Sequence, residues 1–139
     1  MPPLTRWFIK TALIYLVLAL VFGVLILAGP ALQRLQHLAG LTTLYFHLLM
    51  VGWITQLIFG VANWMFPIYT RENPRRSTTL GWLSYLLLNT GMVVRIGADI
   101  ILVLDSFPLP VWTTGIGALF LFASALAFAV NIWHRVKGH

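Results

Sequence analysis

The sequence predicts an all-α integral membrane protein, a four-transmembrane-helix bundle of up-down-up-down topology with both termini in the cytoplasm. Three observations lead to this prediction. The chain has 139 residues, of which 60% are hydrophobic and only 9% charged, whereas a soluble domain carries roughly 25% charged residues. Four apolar runs are each long enough to cross a bilayer. Most of the basic residues fall on one side of those runs.

The four apolar runs each reach the ~18–20 residues that a helix needs to cross the hydrocarbon core. Strands are not expected, because alternation of period two is missing and an open sheet cannot lie in lipid. We therefore expect one domain over residues 1–139, with helices at about 8–29, 31–67, 78–104 and 110–134. The runs themselves are Thr11 to Ala28, Leu38 to Pro67, Leu80 to Leu104 and Val111 to Trp133.

The boundaries of these helices follow from the prolines and turn-forming residues between the apolar runs. Pro30, directly after Ala28 and Gly29, makes signal cleavage improbable, so the first run is interpreted as an anchor. Pro30 can open an outer helical turn that leads into the second helix. Asn73 and Pro74 form a turn signal before the third helix, and two further prolines, at 108 and 110, separate it from the fourth.

The fourth run is rich in small residues, which allow close approach between helices in lipid. They indicate either packing within the bundle or a dimer face. These residues are Gly115, Gly117, Ala118, Ala123, Ser124, Ala125, Ala127 and Ala129.

Orientation follows from the basic residues, because Lys and Arg concentrate on the cytoplasmic side of membrane proteins. Seven of the nine lie on one side: Arg6, Lys10, Arg71, Arg75, Arg76, Arg135 and Lys137. Arg34 lies in an opposite loop and Arg95 within the third helix. The predicted location is the inner (plasma) membrane, with the lipid bilayer as partner. The net charge of +6 is attributed to this topology and not to nucleic-acid binding.

Three ionisable residues fall within the predicted spans: His47, Arg95 and Asp99. Each is costly in lipid, by about 2.5–3.5 kcal/mol on insertion scales, and is a functional hypothesis for that reason. Counted from the helix ends, all three lie in the outer third of the membrane at similar height. Since the second and third helices should be neighbours, the three side chains are expected to share one site.

Arg95 and Asp99 are spaced i, i+4 on one helix face, so they can pair. The pair could lock the bundle in register as a buried ion pair. Alternatively, Arg95 faces a bound anion such as a haem propionate, while Asp99 orients that anion or His47.

His47 has three possible roles: a hydrogen-bonded packing residue, a proton-relay group or a metal ligand. Neutral imidazole is the usual axial ligand of haem iron. Gly52, Gln56 and Gly60 follow at intervals of four residues. They form a groove without bulky side chains that would accept either a flat macrocycle or another helix. Asn63 and Asn89 add uncharged polar groups at membrane depth.

The segment 45–60, YFHLLMVGWITQLIFG, followed by Trp-Met-Phe-Pro at 64–67, resembles the second helix of the haem-copper oxidase catalytic subunit. The likeness is greatest to the cytochrome cbb3 oxidase and nitric oxide reductase branch, and it extends to the NnrS-type haem and copper proteins. His47, Gly52, Trp53 and Gly60 match the family pattern, in which a histidine near the outer end of this helix ligates haem b. The segment 89–95 is similar to the family's third helix.

The resemblance covers about half the chain, and the chain corresponds to only the first four of the family's roughly twelve helices. It implies a haem b held by His47. Together with the polar pair and the groove described above, the expected cofactor site consists of His47, Arg95, Asp99, Gly52, Gln56 and Gly60. His37 is ~15 Å from His47 along a helix, too far to be the second ligand on the same iron. His134 and His139 lie on the opposite side of the membrane. No binuclear centre can be built, so we do not expect a stand-alone enzyme.

The leading functional hypothesis is therefore a haem b protein for electron transfer, or for haem or nitric oxide handling, linked to a respiratory chain. A six-coordinate iron would need its second ligand from a homodimer sharing one haem, or from a partner membrane subunit. The first alternative is a cofactor-free accessory or assembly subunit of a respiratory complex. The second is a small proton or ion pathway.

Overall fold

A computed structural model describes residues 1–32, 38–66, 78–103, 111–133 and 135–136, and within these ranges the chain is helical with no strand. The first helix spans Pro3–Leu32. The second is continuous over residues 38–65 and changes from α-helix to π-helix and back to α-helix. The third spans Thr78–Val103 and the fourth Val111–Trp133. The prediction of an all-α chain with four long helices is confirmed.

The first helix is longer at both ends than the expected 8–29, and it contains Pro30 in its last turn. The expectation that Pro30 opens the second helix therefore does not hold. Proline lacks an N–H and removes one hydrogen bond from a helix, and here the helix ends two residues later, at Leu32. The turn signals expected at residues 73–74, 108 and 110 lie outside the described residues.

All four helices are long and apolar enough to cross a membrane. In the most apolar stretch of each, only 22–33% of the residues are buried within the protein. Many large apolar side chains consequently point outward on every helix, among them Val17, Ile58, Val93 and Phe122. An apolar exterior of this extent is consistent with lipid contact.

The helices run alternately in opposite directions, so both ends of the chain lie at one end of the bundle, named here the terminal end. Contacts across this end show the arrangement. Arg135 binds the backbone of Asn63 and Phe66. Leu4 and Asn131 approach Gly81 from the first and fourth helices. The opposite end, where the first helix finishes and the second begins, is named the far end.

The first and second helices pack closely because glycines remove side-chain bulk from the second. A Cβ at Gly52 would lie 2.7 Å from Tyr15 Cγ, and one at Gly60 would lie 2.7 Å from Phe8 Cβ. Both distances are far below van der Waals contact. The aromatic rings of the first helix therefore occupy the space that the two glycines leave.

The third and fourth helices are joined by small residues of both partners. Gly91 and Gly117 face each other, so that each backbone oxygen lies within 3.4 Å of the position a Cβ on the other would take. The hydroxyls of Ser84 and Ser124 each donate to the other residue's carbonyl, at 3.0 and 2.7 Å. Gly117 and Ser124 thus serve packing within the bundle, whereas Ala118 and others of the fourth helix's small residues point outward.

The second helix is wound as a π-helix over His47–Thr55, between α-helical parts at Leu38–Phe46 and Gln56–Met65. The wider winding aligns residues spaced by four on the buried face: Leu44, Leu48, Gly52, Gln56 and Gly60. In an ideal α-helix a four-residue spacing drifts by about 40° at each step. The π-helical segment compensates for that drift.

Replacing Gly60 by Ala is expected to destabilise the bundle, because the new methyl group would overlap Phe8. Overpacking typically costs about 1–3 kcal/mol. Gly97→Ala on the third helix is the matched control, since nothing lies within 4 Å of a Cβ at that position. Both substitutions gain the same helix propensity, roughly 1 kcal/mol.

The measurement is unfolding of the detergent-solubilised protein by increasing SDS, followed by circular dichroism. Gly60→Ala should unfold at lower SDS than Gly97→Ala. Equal midpoints for the two variants would contradict the packing of Phe8 against Gly60.

Candidate functional site

The structure brings His47, Arg95 and Asp99 together near the far end of the bundle, as their estimated heights predict. The distance from Asp99 Oδ1 to Arg95 Nη2 is 3.1 Å. The distance from Asp99 Oδ2 to His47 Nδ1 is 3.2 Å. The Asp99 side chain is only 2% exposed. A carboxylate so deeply buried requires cationic or hydrogen-bonding partners, and the second and third helices supply one each.

The neighbours of His47 define which ring nitrogen carries hydrogen. Nδ1 lies 2.9 Å from the carbonyl oxygen of Thr43, one turn earlier in the same helix. Its other neighbour is Asp99 Oδ2. Both are acceptors, so Nδ1 must be protonated. In the neutral ring the lone pair is then on Nε2, which is the arrangement of a histidine that ligates a metal through Nε2.

The cluster retains unused hydrogen-bonding capacity. Asp99 Oδ2 and Arg95 Nε are buried and have no hydrogen-bond partner; the Nδ1 hydrogen of His47 is directed at Thr43, which leaves its contact with Asp99 electrostatic. His47 and Arg95 are 26% and 20% exposed. The site therefore has a buried anionic base and two partly accessible groups at the edge of the bundle.

The other three expected site residues do not join this cluster. Gly52 and Gly60 accommodate Tyr15 and Phe8, and Gln56 is fully buried among the first three helices. Of the two occupants that the groove could accept, the structure places another helix there. His47 is thus separated from the glycine face of its own helix.

Gln56 belongs to a second polar cluster, halfway along the bundle. Its Nε2 donates to Thr11 Oγ1 and lies 3.5 Å from Asn89 Oδ1. That oxygen also receives the hydroxyl of Tyr15 at 3.2 Å. The amide of Asn89 donates to the Tyr85 carbonyl at 2.9 Å. Three helices are joined here by uncharged groups, although Gln56 Oε1 has no partner.

A third polar cluster lies at the terminal end around Arg135, which is 2% exposed. Its guanidinium donates to Asn63 Oδ1 at 3.4 Å, to Asn63 O at 3.1 Å and to Phe66 O at 2.8 Å. Asn63 in turn donates to Thr5 Oγ1 at 3.4 Å. Arg135 thereby caps the carboxyl end of the second helix, where the helix dipole favours a cation.

The three clusters do not merge. Leu48 and Met92, both fully buried, lie between the His47 cluster and the Gln56 cluster. Phe8 and Phe59 lie between the Gln56 cluster and Asn63, and Phe59 stacks on Phe128 with ring centroids 3.8 Å apart. Apolar layers therefore separate three levels of polar contacts.

Sequence reasoning missed the partners that the first and fourth helices contribute. These partners include Thr5, Thr11 and Tyr15, whose spacing in the first helix does not mark them as one polar face. Arg135 was assigned only to topology. Its position two residues after the fourth apolar run, which ends at Trp133, gave no sign of burial.

The remaining histidines, His37, His134 and His139, lie outside the described residues, as do Arg34, Arg71, Arg75, Arg76 and Lys137. In the described part of the chain, no group of three or more His, Cys, Asp or Glu side chains is placed to hold a metal ion.

No known protein family, curated protein or solved structure matches this chain. Its fold and site define it as a bundle of four apolar helices with a His–Asp–Arg cluster near one end. The resemblance of the second helix to the haem-copper oxidases remains a prediction.

The protonation of His47 can be checked by ¹⁵N NMR of histidine-labelled protein, with His47→Gln identifying the resonance. We expect Nδ1 to be protonated, because both of its neighbours are acceptors. The control is Asp99→Asn, which keeps Thr43 as acceptor and should leave Nδ1 protonated. A neutral ring protonated only on Nε2 would contradict the arrangement.

Proposed function

We propose that the protein is a multi-pass protein of the cell inner membrane that crosses the bilayer four times, with both termini in the cytoplasm. The length and apolar exterior of the helices support insertion. The terminal end carries Arg6, Lys10 and Arg135, and an excess of basic residues supports a cytoplasmic position for that end.

Within that membrane protein, we propose His47 as the axial ligand of a haem b. The observation that carries this proposal is the pair of acceptors at Nδ1. A carbonyl or carboxylate at one ring nitrogen fixes the tautomer and raises the basicity of the other nitrogen, as at most histidine metal ligands. The His47 side chain is also 26% exposed, so part of the ring is accessible from outside the bundle.

Arg95 fits the same group through its charge. A haem carries two propionates, and a guanidinium suits carboxylates because of its planar set of donors. The Arg95 side chain is 20% exposed while its Nη2 binds Asp99, so the guanidinium is partly accessible to an anion at the edge of the bundle. Asp99 then acts on the cofactor indirectly, by holding His47 and Arg95.

The residues present fit the ligand and the anion partner, but the groove at Gly52, Gln56 and Gly60 is not open to a macrocycle. Phe8 and Tyr15 occupy the face of Gly60 and Gly52. We therefore assign Gly52, Gln56 and Gly60 to helix packing, and we restrict the proposed site to His47, Arg95 and Asp99.

A second axial ligand would come from outside this set. A two-fold dimer in which His47 of each copy approaches one haem meets the requirement, as does a histidine of a partner subunit. Bound haem supplies one-electron chemistry or gas binding. The proposed role is electron transfer, or haem or nitric oxide handling, in connection with a respiratory chain.

The test is an optical spectrum of detergent-purified protein made with ample haem, first oxidised and then reduced with dithionite. We expect a Soret band that shifts on reduction, with sharp α and β bands if the iron has two protein ligands. His47→Ala should abolish the haem spectrum, because it removes the axial ligand.

The matched control is His47→Gln, which lacks a good iron ligand but can still donate to Thr43 or Asp99. Both variants must retain wild-type helicity by circular dichroism. Folded wild-type protein with a featureless spectrum would overturn the proposal, and so would a full haem complement in either variant.

Asp99→Asn should weaken haem binding by about 10–100-fold, the usual effect of losing a partner behind a metal ligand. The amide retains the size of the carboxylate but loses its charge and most of its hold on Arg95. Titration of apoprotein with haem measures the change. An unaltered affinity would show that Asp99 does not act through His47.

One observation favours a second candidate, a cofactor-free accessory subunit of a membrane complex. Asp99 already joins the second and third helices through His47 and Arg95, which is what a register-fixing ion pair requires. This candidate predicts an intact complex without haem at His47. An ion pathway receives less support, because Leu48 and Met92 separate the His47 cluster from the Gln56 cluster.

A further inference from the structure

A shallow basic cavity lies on the outer side of the first helix at the terminal end, remote from His47. Its volume is about 230 Å³, and it is lined by Pro3, Arg6, Trp7 and Lys10. These positions are spaced i, i+3, i+4 and i+7, so they share one helix face. The cavity is smaller than the roughly 300–1,000 Å³ of sites for drug-sized ligands, and it suits a small headgroup.

The charge in this cavity is not balanced by the described protein. Arg6 and Lys10 are exposed, and neither forms an ion pair among the described residues, where the salt bridges involve Asp99 alone. Asp99 is also the one carboxylate side chain within those residues, and it lies toward the far end. An anionic group from outside the described residues would supply the missing charge.

The same helix face continues away from the cavity as an exposed apolar strip. Its members are Leu13, Ile14, Val17, Leu20, Val21 and Val24, each at least half exposed. Two cations and an indole at one end, followed by a long apolar surface, match an amphiphile with an anionic headgroup and acyl chains. A soluble phosphate compound would make no use of the apolar strip.

We propose that Arg6, Trp7 and Lys10 form a binding site for the headgroup of an anionic phospholipid, whose acyl chains lie along the first helix. Basic residues at a membrane surface attract anionic lipid with about 1 kcal/mol each, or roughly fivefold in affinity. Trp7 contributes an amphipathic ring of the kind that lies at headgroup level. This site does not depend on haem binding.

The experiment is native mass spectrometry of the full chain in detergent, with phosphatidylglycerol and phosphatidylcholine of identical acyl chains supplied in equal amounts. We expect wild-type protein to retain phosphatidylglycerol preferentially. The double variant Arg6→Gln/Lys10→Gln should lose at least about fivefold of that preference. The charge-preserving variant Arg6→Lys/Lys10→Arg should keep it.

A second measurement covers the case in which the double variant folds poorly. Brominated phosphatidylglycerol should quench the fluorescence of Trp7 more than brominated phosphatidylcholine does. The Trp7 signal is obtained by subtracting the Trp7→Phe spectrum, and Trp112→Phe at the far end is the control. Equal retention of the two lipids, or equal quenching of Trp7, would overturn the proposal. Displacement of phosphatidylglycerol by glycerol phosphate at equal concentration would also overturn it, in favour of a soluble anion.

Discussion

The close packing of the first helix against the second is the contact on which the rest of the structure depends. Gly52 and Gly60 allow Tyr15 and Phe8 to approach the backbone of the second helix. That approach brings Thr11 within hydrogen-bonding distance of Gln56, and Tyr15 within reach of Asn89. In the apolar interior of the bundle these polar groups have no alternative partner in water. Close packing is therefore also the condition for satisfying them.

Much of the architecture could be predicted from the sequence, because the length and composition of its apolar runs are strong signals of long helices. The four helices follow from runs of apolar residues. The meeting of His47, Arg95 and Asp99 follows from helix rise and antiparallel connection. The occupant of the glycine face could not be predicted, because a gap of that shape suits an aromatic side chain as well as a cofactor. The burial of Arg135 could not be predicted from the sequence either, since a basic residue after an apolar run is normally explained by membrane topology.

The π-helical segment corresponds to a recognisable pattern in the sequence. The residues Leu48, Gly52 and Gln56, and Leu44 before them, recur every four positions, which fits neither a regular α-helix nor a coiled coil. Side-chain periodicity alone could have indicated wider winding. Such segments occur frequently at functional sites, and this one begins at His47.

The polar groups are divided among three levels with different chemistry. The level at His47 contains charged side chains and atoms without a hydrogen-bond partner. The middle level contains neutral amides and hydroxyls. At the level of Arg135, a cation binds backbone carbonyls. Only the first has both accessible groups and unused donors or acceptors on charged side chains. The proposed function is accordingly located there, while the other two levels are assigned to helix association.

The π-helical stretch also bears on how the second helix tolerates changes in length. A π-helix has about 4.4 residues per turn, so nine residues turn through roughly 740° and rise about 10 Å. Seven α-helical residues turn through about 700° and rise about 10.5 Å. The stretch is thus equivalent to an α-helix that has absorbed a two-residue insertion without a loop. A chain with two residues fewer in this stretch, wound there as an α-helix, would keep the segments before and after it within about 40° of their present relative orientation.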